Sequence, residues 1–140
     1  MAGRTLVLDA NILIRAVLGQ RVRSILERFA EEVEFLVPGP ALEEARHHLV
    51  TLVAKHGGDP DKALVLLQAI SAFTEVLPLE AFAALESEAR RRLGDRDPND
   101  WPILACALAT GAAIWTEDTD FFGCGVATWT SSRVEIFLGA

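Results

Sequence analysis

The chain has 140 residues, 51% of them hydrophobic and 24% charged, with a formal net charge of −7. Those values fit one globular domain over residues 1–140, long enough to bury a core, and exclude a disordered polar chain. The acidic balance argues against holding nucleic acid mainly through a basic surface, and every apolar run is too short to span a bilayer.

Residues 5–8 favour β structure and run directly into Asp9, Ala10 and Asn11. They predict a buried strand that delivers one carboxylate to its C-terminal end. Ile12, Leu13, Ala16 and Val17 then predict a helical segment over 12–18, turned at Gly19. Residues 21–32 continue as an amphipathic helix with Val22, Ile25, Leu26 and Phe29 inward. A short strand over 34–37 ends at Pro38-Gly39-Pro40. The next helix, about 41–55, faces the core with Leu42, Ala45, Leu49, Leu52 and Val53 and stops at Gly57-Gly58. Asp59-Pro60 starts another helix reaching about residue 73. A strand over 75–77 and a helix over 79–93 follow, closed by Gly94. After the polar turn 95–100, residues 101–110 are apolar nearly all round and predict a buried helix ended by Gly111. A buried strand over 112–115 leads into Thr116-Glu117-Asp118-Thr119-Asp120. A last strand over 126–129 and a helical tail over 131–138 complete the chain. Strands separated by helices imply parallel pairing with right-handed crossovers, hence a three-layer α/β fold without internal repeats.

The carboxylates follow this order. Asp9, Asp118 and Asp120 come after strands, while Asp97 and Asp100 open the buried helix. In a parallel sheet the strand C-termini and helix N-termini share one edge, so these acids can meet. Two carboxylates ~5 Å apart repel by about 3 kcal/mol at an effective dielectric of ~20, so such a cluster protonates or holds a divalent cation. Oxygen ligands without nearby histidine or cysteine favour Mg²⁺ or Mn²⁺ over Zn²⁺.

Each acid also has a structural explanation. Asp9 can cap the first helix, and Asp97 before Pro98 is a natural N-cap, the role preferred for it. Pro102 would clash in a helix begun at Asp97, which a start at Asn99 relieves. Either start puts Asp100 in a first turn, where the helix dipole favours an acid. Asp118 and Asp120 suit turns. Glu43 and Glu44 flank the apolar stripe of their helix on opposite sides. Glu44 shares its edge with Ala41, Ala45 and His48 and is the better candidate, with Glu43 still open.

Other polar residues carry less chemistry. His47 and His48 are adjacent, so they point in different directions and cannot pair as ligands. His56 can cap a helix end. HExxH, GxSxG, Walker A and GxGxxG patterns are absent. Cys106 and Cys124 have no metal spacing and read as inert thiols of a reduced cytoplasm; no signal peptide is read. Trp101, Trp115 and Trp129 read as core or interface residues. Arg21, Arg23 and Arg28, and again Arg90–Arg92, read as solvated helix faces, from which any phosphate-tracking surface would be drawn.

LDANILI at 8–14, the Glu44 helix, DPNDWPILACALATGA at 97–112 and WTEDTDF at 115–121 together resemble the PIN domain, the nuclease fold of VapC-type toxins. The resemblance spans most of the chain. It implies a three-layer α/β/α fold with a central, mostly parallel sheet of about five strands. By position, Asp9 matches the first acid, Glu44 the second, Asp100 the third and Asp118 the fourth. Asp9, Asp100 and Asp118 are the implied metal ligands. Asn11 matches the polar residue supporting the first acid, Thr116 the neighbouring hydroxyl, and Asp120 an accessory acid. Glu117 departs from the family pattern, which often has a basic or small residue there.

The resemblance implies a Mg²⁺- or Mn²⁺-dependent endoribonuclease. It cuts RNA by in-line attack of an activated water, leaving a 5′-phosphate and a 3′-hydroxyl. An antitoxin protein and a second copy of the chain are the implied partners, without a membrane. A phosphatase or other phosphoryl-transfer enzyme on a similar sheet is the alternative. Against it, Asn11 stands where a second Asp would serve as general acid, and the only lysines are Lys55 and Lys62. A catalytically idle PIN-like binding module is the third reading, which the retained acids oppose.

Overall fold

In the computed structural model, which describes residues 4–139, the first strand occupies the centre of the sheet. β1 (Arg4–Leu8) pairs in parallel with β2 (Val33–Pro38) on one side and with β4 (Ala113–Trp115) on the other. β3 (Glu75–Leu77) extends the sheet beyond β2, and β5 (Thr128–Trp129) extends it beyond β4, both again in parallel. The order is therefore β3-β2-β1-β4-β5. Successive residues of a strand point to opposite faces, yet Leu6, Val7 and Leu8 are all fully buried. Both faces of β1 are covered, as a parallel sheet between helical layers requires.

Local chemistry explains most element boundaries. α1 (Ala10–Leu18) begins two residues earlier than the apolar pattern alone indicates, because the Asp9 carboxylate accepts the Ala10 N–H and caps it. α2 (Arg21–Phe29) buries Val22, Ile25, Leu26 and Phe29, the predicted face. α3 (Gly39–Lys55) starts directly after β2, with Pro40 in its first turn, where the missing N–H costs nothing. Its buried residues are Ala41, Ala45 and Leu49, with Leu42, Leu52 and Val53 only partly covered. α4 (Pro60–Ser71) is capped by Asp59, as expected.

One predicted helix differs in extent, and the turn before another takes a form the sequence did not specify. Over 79–93 the chain makes two short 3₁₀ turns before α5 (Glu86–Leu93). Phe82 leaves helical geometry at φ −138° and ψ 1°. Its ring is buried beside that of Trp101 at 6.0 Å, so tertiary docking overrides local helix preference. Over 97–110, a 3₁₀ turn (Pro98–Asp100) precedes α6 (Trp101–Thr110). Pro102 therefore falls in a first turn, and no clash arises. α6 buries six consecutive residues from Pro102 to Ala107 and ends at Gly111, whose φ of 71° suits glycine. The tail forms α7 (Val134–Leu138).

The three tryptophans and both cysteines are structural, as expected. Trp115 is fully buried and its indole donates to Ser131 Oγ at 3.1 Å. Cys106 and Cys124 are buried free thiols, and burial pushes the Cys106 thiol up to about 12. Among the described residues no helix is long and apolar enough to cross a membrane.

Candidate functional site

Pairing of Leu8 with Trp115 aligns the C-terminal ends of β1 and β4. The ladder continues one residue further, with the Asp9 N–H donating to the Trp115 carbonyl at 3.1 Å. Thr116 likewise donates its N–H to the Trp129 carbonyl at 3.0 Å. Asp9 and Thr116 thus leave adjacent strands side by side at the edge where parallel sheets gather polar groups.

The Asp9 carboxylate is 5% exposed and fully engaged. Its Oδ1 accepts the Ala10 N–H at 2.7 Å. Its Oδ2 accepts the Thr116 hydroxyl at 2.6 Å and the Asn11 amide at 3.1 Å. Thr116 Oγ1 in turn accepts the Asp118 N–H at 2.9 Å, and Asp118 Oδ1 accepts the Asp120 N–H at 2.9 Å. One chain of bonds therefore runs from the first acid into the Asp118–Asp120 loop.

Asp100 arrives from the start of α6. It stands at the N-cap of that helix and makes no side-chain capping bond there. Oxygens of Asp100, Asp118 and Asp120 lie within 4.8 Å of one another. A cleft of about 260 Å³ is lined by Asp9, Asn11, Glu44, His48, Asp97, Asp100 and Asp118, with Ala10 and Ile14. Glu44 projects into this cleft, whereas Glu43 is exposed and pairs with Arg46. Asp97 caps the Asn99 N–H at 2.9 Å and also borders the cleft, so its structural role does not remove it from the site. Larger cavities exist. One of about 570 Å³ lies at the opposite end of the sheet, and its described lining has no titratable side chain.

The electrostatics match crowded acids. Burial raises the Asp9 carboxyl above its ordinary range; the Thr116 and Ala10 bonds oppose this, and Asp118 and Glu44 add to it. Asp100 is pushed up to about 8, first by burial and then by the charges of Asp9, Asp118 and Asp97. Asp100 Oδ2 and Asn11 Oδ1 are buried oxygens without a hydrogen-bond donor among the described residues. Acceptor oxygens left without donors are costly unless a proton or a cation meets them. The set is made of oxygens, which fits a hard divalent cation.

Surrounding residues play unforeseen parts. Glu117 turns away from the cluster, accepting the Ser131 N–H at 2.7 Å, so it caps a loop instead of adding to the acids. Arg96 donates to the carbonyls of Asp120 at 2.6 Å and Phe122 at 2.7 Å, fastening the loop. Sequence reasoning had no signal for that contact. The arginine groups lie on largely exposed helix faces, as read, and make surface contacts there: Arg21 and Arg28 with Glu135, Arg23 with the carbonyls of Ala16 and Gly19, Arg90 with Glu86, and Arg91 and Arg92 with Glu88. None of them lines the cleft. His48 does, four residues after Glu44, on the helix edge that the sequence assigned to both.

A family model described as the PIN domain matches residues 7–139. Among solved structures, DNA-bound VapBC from Salmonella typhimurium is similar, with a TM-score of 0.72 at 18% identity, over 91% of this chain and 98% of that one. FitAcB from Neisseria gonorrhoeae has a TM-score of 0.62 at 23% identity, over 91% of this chain and 99% of that one. A toxin–antitoxin complex from Klebsiella pneumoniae has a TM-score of 0.59 at 18% identity, over 90% and 97% respectively. At these identities the likeness is one of fold. No curated protein sequence matches.

Proposed function

The chain belongs to the PIN domain family, and from that premise we propose that it is a divalent-metal-dependent endoribonuclease. The observation that carries this reading is the buried, donorless oxygen of Asp100 beside Asp9 and Asp118. Asp9, Asp100 and Asp118 would hold Mg²⁺ or Mn²⁺, and Glu44 completes the catalytic acids at the cleft. The chemistry such a cation would supply is a lowered pKa for the attacking water and stabilisation of the leaving oxygen. The overall reaction adds water across an RNA phosphodiester, leaving a 5′-phosphate and a 3′-hydroxyl.

The chain's own residues supply placement. Thr116 and Asn11 fix the orientation of Asp9 through Oδ2, and the Thr116 bond favours its ionised form against the effect of burial. Thr116 sets Asp118 through its N–H, and Asp120 stands beside both Asp118 and Asp100 as an accessory acid. No side-chain nucleophile is required. Cys106 and Cys124, the two thiols, are buried.

The toxin role rests on the kind of complex its fold relatives form. VapBC of Salmonella typhimurium and the Klebsiella pneumoniae toxin–antitoxin complex support an antitoxin partner for this chain. Assembly as a homodimer and location in the cytoplasm belong to the same proposal.

The deciding experiment incubates pure protein with a mixed RNA pool in Mn²⁺, Mg²⁺ or EDTA, beside Asp9→Asn. Metal-dependent cleavage lost in the variant is the expected result. Equal degradation by both proteins would place the activity elsewhere. Hydrolysis of a small phosphate ester with RNA untouched would turn the assignment to a phosphatase.

A further inference from the structure

The cleft is lined by five carboxylates, Asp9, Glu44, Asp97, Asp100 and Asp118, and its proposed substrate is a polyanion. When ionised, these groups only accept hydrogen bonds. Ala10 and Ile14 offer no side-chain donor, and the Asn11 amide spends one of its two N–H groups on Asp9. His48 is the lining side chain with an N–H and no hydrogen-bond partner at all among the described residues, whereas the Asn11 amide is already tied to Asp9. The arginines around the cleft do not replace it. Arg46 is held by Glu43, Arg96 by the carbonyls of Asp120 and Phe122, and Arg92 by Glu88 and the Cys124 carbonyl.

His48 sits one helical turn beyond Glu44 on α3, so the two share a face. Its ring is exposed at the mouth, edge-on to that of His47 at 6.0 Å and 74°. We propose that His48 is a substrate-binding residue, donating a hydrogen bond to a non-bridging phosphate oxygen of the RNA at the mouth of the acidic cleft. Neutral imidazole keeps one N–H, so the contact does not depend on protonation. The inference rests on the ribonuclease reading and adds to it a contact that anchors the strand from the protein side.

The test is steady-state cleavage of a single-stranded RNA in saturating Mn²⁺ by wild type, His48→Ala and His48→Gln, with Mn²⁺ affinity titrated separately. One hydrogen bond to a charged group implies that His48→Ala raises KM about tenfold with kcat within about twofold. His48→Gln, which retains an N–H, should recover part of that loss, and Mn²⁺ affinity should be unchanged in both. An unchanged KM in both variants, a fall in kcat alone, or weakened Mn²⁺ binding would each overturn the assignment. If wild type cleaves and His48→Ala keeps the same KM, only this inference fails. If wild type cleaves no RNA in any metal, the ribonuclease reading fails and takes this inference with it.

Discussion

The Thr116 hydroxyl donates to Asp9 Oδ2 at 2.6 Å across 107 residues of sequence while accepting the Asp118 N–H at 2.9 Å. One fully buried hydroxyl thus ties the first acid of the site to the fourth. Thr116→Val keeps the shape but leaves Asp9 Oδ2 with the Asn11 amide alone and strands the partly buried Asp118 N–H, a loss of about 1–3 kcal/mol. Urea unfolding should report that loss. Metal titration should report weaker binding, since the bond also favours ionised Asp9. Thr116→Ser should restore both.

Asp9→Asn should remove cleavage while sparing the fold. The new amide can still accept the Ala10 N–H, and the Asn11 side chain can turn its donorless Oδ1 toward it. Loss of a metal-binding carboxylate should lower RNA cleavage by at least ~100-fold. In EDTA the variant should melt no lower than wild type, because a buried charge among like charges has gone. A calorimetric scan beside the cleavage assay checks both halves.

Metal-free protein should lose stability as pH rises. Asp100 is pushed up to about 8, first by burial, and Asp9 is raised for the same leading reason. An unfolded aspartate releases its proton near pH ~4. Between about pH 4 and pH 8 the folded state therefore holds protons that the unfolded chain has lost, and unfolding free energy falls with pH. Thermal melts in EDTA should decline across that window, and Asp100→Asn should flatten the decline. Added Mg²⁺ should stabilise most at the alkaline end, where it no longer competes with protons.

Arg96→Ala should separate positioning from folding. Its bonds to the Asp120 and Phe122 carbonyls are exposed, so stability should change by roughly 1 kcal/mol or less. The loop carrying Asp118 and Asp120 should exchange its amide hydrogens faster. Because small misplacements at a reacting centre are costly, cleavage should fall by about tenfold. An unchanged rate with a loosened loop would show that Asp120 is dispensable.

Much of this arrangement was legible from residues alone. Four β-favouring residues ending in Asp9 specified the central strand, and the apolar run after Asp100 specified the buried helix, because both signals are local. The extent of the helix over 79–93 was not legible. Phe82 leaves helical geometry to dock beside Trp101, a partner supplied by a distant segment. The Pro102 conflict disappeared because a 3₁₀ turn delays the helix by two residues from the start at Asn99. At the cleft, residue type and order pointed to Asp9, Glu44, Asp100 and Asp118. Side-chain direction determined what sequence could not: Glu117 turns away to the Ser131 N–H, and Glu43 pairs with Arg46 while Glu44 lines the cleft.

The strand order β3-β2-β1-β4-β5 also links the cluster to the direction of synthesis. The first 111 residues can lay down β1, β2 and β3 with their helices, but they leave one edge of β1 bare. Asp9 then lacks Thr116, and Asp118 is still to come. A nascent chain therefore carries an incomplete acid set until β4 docks, so the cell meets the finished site only once β4 and the loop after it have left the ribosome.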